Sequence, residues 1–416
     1  MSKIKINGKK TLEGTVEISG AKNSAVALIP AAVLAKTKST IYNIPSISDI
    51  DYLIKILKIL NCNVEYDGNA LIIDSSKIKN APIPEELSRE MRASYYFMGS
   101  LLARFHHVEV SFPGGCKIGN RPIDIHIKGF ESLGATVIQD KSRYIIKCKK
   151  LKGTNIYLDF PSVGATINLM LAALGAEGKT VIENAAKEPE IVNIATFLIS
   201  SGAKIDGAGT NRIEIEGNTN LDNGVVEVFP DRIEAGSFLI IGALTAKKLV
   251  VKNVIVEHLN SFLIKLKEAG ADFTVDDDSI TIHKSNKLKA TSIKTMAYPG
   301  FPTDLQQPFT TLLTQAEGKS IICETIYESR FRNTEYLNLM GADTTIIGNT
   351  LEIRGKTPLK GKGVFATDLR AGASLLVAAL IAEGTTVIDN FEIILRGYDK
   401  IVEKLEKIGA KVELIE

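Results

Sequence analysis

The sequence predicts an α/β fold made of two similar domains, each built from three repeats of a βαβαββ-like unit. One observation behind this prediction is a Gly-Ala pair that recurs along the chain. Its glycines, which are 68, 68, 71 and 68 residues apart, are Gly134, Gly202, Gly270, Gly341 and Gly409. Asn61 occupies the corresponding place in an earlier copy, and asparagine shares glycine's tolerance of a left-handed helix end. Six copies in 416 residues give a repeat of about 69 residues.

The elements of one repeat follow from the residues between these pairs. An Ala-rich apolar stretch leads into a β-branched run, most clearly in residues 172–184 and 378–390. This stretch is apolar nearly all round and therefore predicts a first helix that is buried within its domain. The second helix is amphipathic, and in the fourth repeat its apolar face carries Phe262, Leu263 and Leu266. The left-handed residue ends that helix, and a strand hairpin with a turn rich in Gly, Asn or Asp follows.

The two chain ends predict how the repeats are shared between the domains. The sixth repeat stops before a returning strand can form, whereas the chain begins with two strands, residues 3–7 and 15–19, that have no helix of their own. We therefore predict one domain of residues 22–229 and a discontinuous domain of residues 1–21 plus 230–416. Two chain crossings predict a hinge, and the space between hinged domains is a usual place for a small-ligand site.

Composition and charge exclude several classes of protein. Apolar residues make up 45% of the chain and charged residues 24%, which is typical of a globular protein. The 50 Lys and Arg residues nearly balance the 48 Asp and Glu residues, so no nucleic-acid partner is expected. No segment has the pattern of a signal peptide or a bilayer span, which predicts a cytoplasmic protein without a membrane partner. The scattered histidines and cysteines predict neither a metal site nor a disulfide, and no cofactor is expected.

The most distinctive loop is residues 113–122, PGGCKIGNRP, in which three glycines lie between two prolines. Such a segment predicts an exposed loop, and Lys117 and Arg121 give Cys116 the positive surroundings that favour a thiolate. A functional thiol is therefore the preferred interpretation, and an incidental loop cysteine is the alternative. The other cysteines lie in or beside strand runs and are interpreted as core residues: Cys62, Cys148 and Cys323.

Side chains at the helix starts form a second group of candidates. Lys22 and Asn23 follow Gly20 in a first turn, where a cation lowers stability but helps the free N–H groups to bind an anion. A lysine extended into solvent is the alternative. Aligning the repeats brings further residues to corresponding helix starts: Arg92, Ser162, Val163, Asp231, Arg232, Asp304, Asp368 and Arg370. Together with Arg121 and Arg396, the cations among them predict a ligand that carries phosphate or carboxylate groups.

The three aspartates in this group have different interpretations. Asp231 and Asp368 are predicted to cap their helices, because a carboxylate before the first turn accepts hydrogen bonds from free backbone N–H groups. Asp304 follows two prolines that restrict its loop, so it is a candidate for a positioned base. The Arg330-Phe331-Arg332 run is interpreted as a solvated turn, with a place in the ligand site as the alternative.

Six segments in these repeats resemble those of the enolpyruvyltransferase family. They are residues 19–24 (SGAKNS), 113–126 (PGGCKIGNRPIDIH), 183–193 (ENAAKEPEIVN), 230–236 (PDRIEAG), 301–306 (FPTDLQ) and 367–375 (TDLRAGASL). The resemblance implies two inside-out α/β barrels. It also implies transfer of the enolpyruvyl group of phosphoenolpyruvate to the 3-hydroxyl of UDP-N-acetylglucosamine, with release of phosphate through a tetrahedral intermediate. Such a reaction is the first committed step of peptidoglycan synthesis.

The resemblance further implies a role for each matching residue. Those implied to hold phosphoenolpyruvate are Lys22, Asn23, Arg121 and Arg396, of which Lys22 and Arg396 also count as catalytic. Those implied to bind UDP-N-acetylglucosamine are Arg92, Arg121, Pro122, Ile123, Asp124, Ile125, Ser162, Val163, Asp304 and Ile326. Asp304 is implied to take the proton of the sugar hydroxyl. Cys116 is implied to act as the acid toward the methylene carbon, to form a phospholactoyl-type thioether adduct and to be the target of fosfomycin-like epoxides. The implied supporting residues are Asp231, Arg232, Asp368 and Arg370.

Two other functions remain open at this stage. One is transfer of the same group to a different acceptor on the same fold, such as shikimate 3-phosphate, against which the cysteine loop argues. The other is a scaffold that binds sugar nucleotides without catalysis. A scaffold has no need of the reactive groups, yet Lys22, Cys116, Asp304 and Arg396 are all present. The sequence therefore favours the transferase.

Overall fold

One pattern of strands and helices recurs six times in the computed structural model, which describes residues 2–112, 114, 123–140, 142–217, 220–285 and 287–415. The described residues form two units. The continuous unit contains the described part of residues 20–229, and the discontinuous unit contains residues 2–19 and 230–415. Gly20 and Ala21, which the sequence-based division placed in the discontinuous domain, belong to the continuous unit.

The chain opens with two strands and then builds the three repeats of the continuous unit. The opening strands are β1 (Lys3–Asn7) and β2 (Leu12–Glu17). The first repeat comprises α1 (Lys22–Ala32), β3 (Lys38–Tyr42), α2 (Ser48–Ile59), β4 (Asn63–Tyr66) and β5 (Ala70–Asp74). The second comprises α3 (Glu85–Glu90), a 3-10 turn (Arg92–Tyr95), α4 (Tyr96–Phe105), β6 (His107–Ser111), α5 (Asp124–Ser132), β7 (Thr136–Asp140) and β8 (Arg143–Lys147). The third comprises β9 (Leu151–Lys152), β10 (Asn155–Tyr157), α6 (Val163–Ala173), β11 (Ala176–Glu177), β12 (Lys179–Glu183), α7 (Pro189–Ser200), β13 (Lys204–Asp206), β14 (Arg212–Glu216) and β15 (Val225–Glu227).

The discontinuous unit continues with three further repeats. The fourth comprises α8 (Arg232–Thr245), β16 (Ala246–Lys252), a 3-10 turn (Val256–Leu259), α9 (Asn260–Glu268), β17 (Asp272–Val275) and β18 (Ser279–His283). The fifth comprises β19 (Ser292–Lys294), α10 (Thr303–Leu313), β20 (Gly318–Cys323), α11 (Asn333–Leu339), β21 (Asp343–Ile347) and β22 (Thr350–Gly355). The sixth comprises β23 (Gly363–Phe365), α12 (Leu369–Ile381), β24 (Thr385–Asp389), α13 (Glu392–Leu395), α14 (Ile401–Lys407) and β25 (Lys411–Ile415).

The main sheets of all six repeats share one strand order. In the third repeat the order is β10-β12-β14-β13, with the first pair parallel and the hairpin strands antiparallel. Five repeats have four-stranded sheets of this kind. In the second, the described residues form a three-stranded sheet, β6-β8-β7, and a single parallel bridge between Ile83 and Val110 takes the place of the fourth strand. This common order confirms the predicted βαβαββ-like repeat.

The N-terminal strands complete sheets of the discontinuous unit. Strand β1 lies between β24 and β25 and is antiparallel to both, so it supplies the hairpin strand of the sixth repeat. Strand β2 pairs in parallel with β16 of the fourth repeat. Strand β15 pairs in the same way with β3 of the first repeat. The first and last segments of the chain are therefore joined by main-chain hydrogen bonds within one sheet.

Each unit has its own hydrophobic core, which contains the first helices of its repeats. Helix α12 has 12 of its 13 residues buried, and its last seven residues, 375–381, are all apolar, as expected for a helix buried within its domain. Helix α9 buries only Phe262, Leu263 and Leu266, which confirms the predicted amphipathic second helix. The five repeat glycines have φ between +86° and +111°, and Asn61 has φ of +64°. The left-handed ends inferred from the repeat are thus confirmed.

Candidate active site

Lys22 begins helix α1 and is paired with an acidic residue of the same repeat. Its Nζ lies 2.9 Å from Asp49 Oδ2 on α2, and the two side chains are 14% and 3% exposed. The first turn of α1 contains no acidic residue, so Asp49 supplies the negative charge that offsets a cation at a helix N-terminus. Asn23 follows in the same turn and is half-buried. The solvent-extended alternative for Lys22 is therefore wrong.

A cluster of three neutral polar side chains, Tyr95, His126 and Asn168, joins three segments that carry candidate sugar-nucleotide residues. The guanidinium of Arg92 lies over the ring of Tyr95, 5.5 Å from its centroid. The Tyr95 ring also packs against the imidazole of His126 at an angle of 87°, with the two centroids 5.1 Å apart. His126 Nδ1 lies 3.1 Å from Asn168 Nδ2, and Asn168 Oδ1 accepts a hydrogen bond from Gly99 N at 2.9 Å. Burial, with a smaller contribution from Arg92, lowers the pKa of His126 to about 3. His126 is therefore a neutral imidazole.

This neutral cluster links helices α4, α5 and α6. Asp124 begins α5 and is exposed, whereas Ile123 before it is buried and Ile125 after it is half-buried. Ser162 caps α6, because its Oγ accepts a hydrogen bond from Ala165 N at 3.3 Å, and Val163 begins that helix. The described sugar-nucleotide candidates of the continuous unit are thus near the first turns of packed helices.

Asp304 lies in the first turn of α10 and contacts two arginines. Its Oδ1 is 2.6 Å from Arg330 Nη2, and its Oδ2 is 2.9 Å from Arg370 Nη2. Burial by itself raises the pKa of Asp304, but Arg370 and Arg330 outweigh that effect and hold the pKa well below its usual range. Asp304 is therefore ionised at neutral pH, and each of its oxygens already accepts a hydrogen bond from a cation.

The interpretation of Arg330 as part of a solvated turn is wrong. Its side chain is 3% exposed, its guanidinium contacts Asp304, and it lies over the ring of Tyr327 at 5.2 Å from the centroid. The neighbouring Arg332 is exposed. A short cationic run is typical of a surface, and the sequence contains no local signal that separates the two arginines, because the partner of Arg330 is 26 residues away.

The two predicted helix caps are confirmed. Asp231 Oδ1 accepts hydrogen bonds from Ile233 N and Glu234 N at 2.8 and 3.1 Å. Asp368 Oδ1 likewise accepts from the backbone N–H groups of Arg370 and Ala371, both at 3.0 Å. Both carboxylates therefore satisfy helix N-termini, α8 and α12 respectively, in addition to any role toward a ligand.

The remaining described candidates lie beside polar residues that sequence reasoning did not single out. Arg232 lies over the ring of Tyr298, 5.6 Å from its centroid. Ile326 N donates to Glu324 Oε1 at 2.8 Å, and the buried Glu324 holds the turn that carries Ile326. Arg396 directly follows α13 and is half-buried. Each of these contacts joins residues that are far apart in sequence or lie in an irregular turn, so no periodic pattern indicates them.

Of the cysteine loop, residues 113–122, the structure describes Gly114. Cys116, Arg121 and Pro122 lie outside the described residues. Cys62 is buried, and burial raises the pKa of its thiol to about 12. Cys148 and Cys323 are half-buried, one directly after strand β8 and one at the end of β20. Their structural interpretation is consistent with these positions beside strands.

The described residues contain neither a metal-ion cluster nor a membrane-spanning helix. No group of three or more His, Cys, Asp or Glu side chains among them is arranged to hold a metal ion. No helix in the described part of the chain is long and apolar enough to cross a bilayer.

The fold and these residues define a class of α/β enzyme that acts on anionic substrates: two units of three repeats, with ammonium and guanidinium groups at the helix starts. The particular family is given by sequence comparison. The profile of the family described as EPSP synthase (3-phosphoshikimate 1-carboxyvinyltransferase) matches residues 6–405. The chain belongs to this family, and the predicted enolpyruvyltransferase resemblance is confirmed.

Similar proteins have the same length and fold. UDP-N-acetylglucosamine 1-carboxyvinyltransferase 2 of Streptococcus mutans is 51% identical over 100% of both chains. The enzyme of the same name from Bacillus subtilis is 50% identical over 99% of this chain and 96% of its own. The crystal structure of the enolpyruvyl transferase NikO from Streptomyces tendae has a TM-score of 0.91 at 27% identity and covers 100% of this chain and 99% of its own. EPSP synthase from Acinetobacter baumannii, at 19% identity and a TM-score of 0.77 over 100% of both chains, shares the fold.

Proposed function

We propose that this protein transfers the enolpyruvyl group of phosphoenolpyruvate to the 3-hydroxyl of UDP-N-acetylglucosamine and releases phosphate. The observation that carries this conclusion is identity of about half of all residues, along the full chain, with relatives named for that activity. The product is the first committed precursor of peptidoglycan. Small-molecule substrates, both anionic, agree with the cations at the described helix starts.

The reaction consists of an addition and an elimination. The sugar 3-oxygen forms a bond to C2 of phosphoenolpyruvate while a proton is added to C3, and the hydroxyl proton passes to a base. The resulting tetrahedral adduct keeps both the phosphate and the carboxylate. A proton then leaves C3, the C2–O bond to phosphate breaks, and the carbon–carbon double bond is restored. The adduct carries the negative groups of both substrates, and therefore more negative charge than either substrate, so fixed cations stabilise it.

Phosphoenolpyruvate is assigned to Lys22, Asn23, Arg121 and Arg396. Lys22 is suited to this role because the first turn of α1 offers free N–H groups beside its ammonium. Its ion pair with Asp49 restricts the position of its ammonium group. Arg121 and Arg396 add guanidinium groups that pair with phosphate or carboxylate in a bidentate manner.

Asp304 is the proposed base for the sugar hydroxyl, and Cys116 is the proposed acid toward C3. Asp304 is ionised, as a base must be, but two guanidinium groups reduce its basicity. Proton removal by such a weak base has to be coupled to protonation of C3 in the same step, because an isolated sugar alkoxide is far more basic than Asp304. Arg370 and Arg330 orient the carboxylate, and Asp368 caps α12, the helix from which Arg370 projects. Asp231 caps α8, which begins with Arg232.

UDP-N-acetylglucosamine is assigned to Arg92, residues 121–125, Ser162, Val163, Asp304 and Ile326. The neutral Tyr95–His126–Asn168 cluster supports this assignment, because it joins the three helices whose starts carry Arg92, Asp124 and Ser162. Arg232 is assigned a supporting role beside Asp231. These assignments follow the family motifs residue by residue.

The test is phosphate release from phosphoenolpyruvate with UDP-N-acetylglucosamine, with shikimate 3-phosphate and with neither acceptor. Release only with the UDP-sugar is expected for wild type. Cys116→Ala is expected to lose or strongly alter that release, whereas Cys148→Ala serves as the matched cysteine control and retains it. Release only with shikimate 3-phosphate would identify that compound as the acceptor. No release with either acceptor would favour the alternative function, a scaffold that binds sugar nucleotides without catalysis.

A further inference from the structure

Four polar side chains of the discontinuous unit form a network that the assignments above do not use. Lys404 of α14 is at its centre, with Nζ 2.5 Å from Glu234 Oε1 and 2.7 Å from Ser19 Oγ. Ser19 Oγ in turn donates to Asp399 Oδ2 at 2.9 Å, and Ser19 N donates to Glu234 Oε2 at 3.0 Å. We call Ser19, Glu234, Asp399 and Lys404 the Lys404 network.

The ion pair at the centre of the Lys404 network is shielded from water. The side chain of Glu234 is 2% exposed and that of Lys404 is 14% exposed. Burial raises the pKa of Glu234 to about 7, against the opposing effect of the Lys404 ammonium. A buried charge that loses its partner is strongly unfavourable, so these groups hold one another in a single arrangement.

The network lies next to two segments that carry the proposed phosphoenolpyruvate ligands. Ser19 is three residues before Lys22, at the end of the first segment of the discontinuous unit. Asp399 is three residues after Arg396. The backbone around Ser19 is held further, because its carbonyl accepts a hydrogen bond from Asp231 N at 2.9 Å. One cluster of side chains thus fixes the chain beside Arg396, in the same unit.

Helix α8 fixes the Arg396 segment at a second point. The hydroxyl of Tyr398 lies 2.8 Å from Ser237 Oγ, and Tyr398 is buried. Ser237 is three residues after Glu234, so both residues lie on one face of α8. Adjacent residues 398 and 399 are therefore tied to α8 and to Ser19, and Arg396 extends from a backbone with little freedom to move.

From this arrangement we propose that Ser19, Glu234 and Lys404 are positioning residues for phosphoenolpyruvate binding, which act through Arg396 without contacting the substrate. The inference rests on the proposed function and deepens it. Positioning of this kind matters because a displacement of about 1 Å in a charged ligand is enough to weaken binding of a multiply charged substrate substantially.

The experiment compares wild type, Ser19→Ala and Lys404→Met with Lys407→Met, which removes an exposed lysine from the same helix. Rates of phosphate release are measured first with phosphoenolpyruvate varied at saturating UDP-N-acetylglucosamine. They are then measured with UDP-N-acetylglucosamine varied at saturating phosphoenolpyruvate. We expect Ser19→Ala and Lys404→Met to raise KM for phosphoenolpyruvate about tenfold and to change KM for the UDP-sugar less than twofold. Lys407→Met is expected to match wild type.

Equal changes in the two KM values, with a lowered Tm, would show that the network is merely structural and would overturn the proposal. Unchanged KM values would overturn it too. If Lys404→Met does not fold, the smaller Ser19→Ala change still decides the question. Should wild type release no phosphate with either acceptor, the proposed function fails, and calorimetric binding of phosphoenolpyruvate tests the network by itself. Weaker binding of phosphoenolpyruvate by the two network variants alone supports the inference. Equal binding by all four proteins contradicts it, as does a wild type that binds no phosphoenolpyruvate.

Discussion

The two units have the same strand order but differ in the polar side chains that join the helices carrying sugar-nucleotide candidates. In the continuous unit, the helices that carry sugar-nucleotide candidates are joined by uncharged groups: Tyr95, His126 and Asn168. In the discontinuous unit, charged groups take that place, in the Asp304–Arg330–Arg370 cluster and in the Lys404 network. One fold therefore accepts either solution, and the difference lies in which polar partners the packed helices bring together.

Burial has opposite consequences for the pH dependence of stability at His126 and at Glu234. A buried imidazole stays neutral and resists protonation, so the continuous unit is sensitive to acid. A buried carboxylate resists ionisation, so Glu234 makes the discontinuous unit sensitive to rising pH. Where two guanidinium groups contact one carboxylate, as at Asp304, pairing outweighs burial. Three predictions test this contrast, in order of decreasing effect.

The largest effect is expected from His126 in acid. Because its pKa is about 3 in the folded chain and 6.5 as the ordinary value, its contribution to stability is present above pH 6.5 and is lost as pH falls through that range toward pH 3. The loss is on the order of 4 kcal/mol by pH 3. We expect His126→Gln to flatten this part of a urea-unfolding series between pH 7 and pH 3, whereas the half-buried His107→Gln follows wild type. Parallel curves for His126→Gln and wild type would contradict a neutral buried imidazole.

Removal of Arg370 is expected to have the next largest effect. Arg370→Met leaves Asp304 with one cation in place of two and removes a buried guanidinium, at a cost of about 3 kcal/mol in the free energy of unfolding. It is also expected to lower kcat, measured with both substrates saturating, because Asp304, the proposed base, is no longer oriented. Arg332→Met is the matched control, since Arg332 is exposed, and less than about 0.5 kcal/mol is expected for it. Equal losses in the two variants would show that the Asp304 cluster has no special importance.

The smallest of the three effects concerns Glu234. Its pKa is about 7 in the folded chain and 4.5 as the ordinary value, so the stabilising contribution is complete below pH 4.5 and is lost as pH rises through 7. The groups that face it are Lys404, Asp231 and the Ser19 backbone, and the loss amounts to about 3 kcal/mol at most. Glu234→Gln is expected to remove this dependence in urea unfolding from pH 4.5 to 8. A slope that persists in the variant would assign the effect to another group.

Much of the fold could be predicted from residues that are close in sequence. The recurring left-handed residues, the all-apolar first helices and the amphipathic second helices each depend on local conformation or on periodicity. They therefore appear in the sequence at a regular spacing, and the structure shows six sheets with one strand order. The caps at Asp231 and Asp368 were predictable for the same reason, since each carboxylate bonds N–H groups two and three residues away.

The candidate site was predictable only in part. The positions of Lys22, Asn23 and Asp304 at helix starts follow from the repeat, and the structure places them there. Their partners do not follow from it. Asp49 is 27 residues from Lys22, and Arg330 and Arg370 are 26 and 66 residues from Asp304. None of these three separations is a helical or strand period, so no pattern separates these residues from ordinary surface charges.

By itself the sequence determined the repeat, the buried and exposed faces of its helices, the residues at each helix start and the family, because each is a property of neighbouring residues or of motifs. Tertiary structure alone decided which charges meet. It paired Lys22 with Asp49, buried Arg330 instead of Arg332 and gathered Ser19, Glu234, Asp399 and Lys404 into one network. The physical reason is that burial and distance set the strength of a charge pair, and both quantities depend on how helices from distant parts of the chain pack.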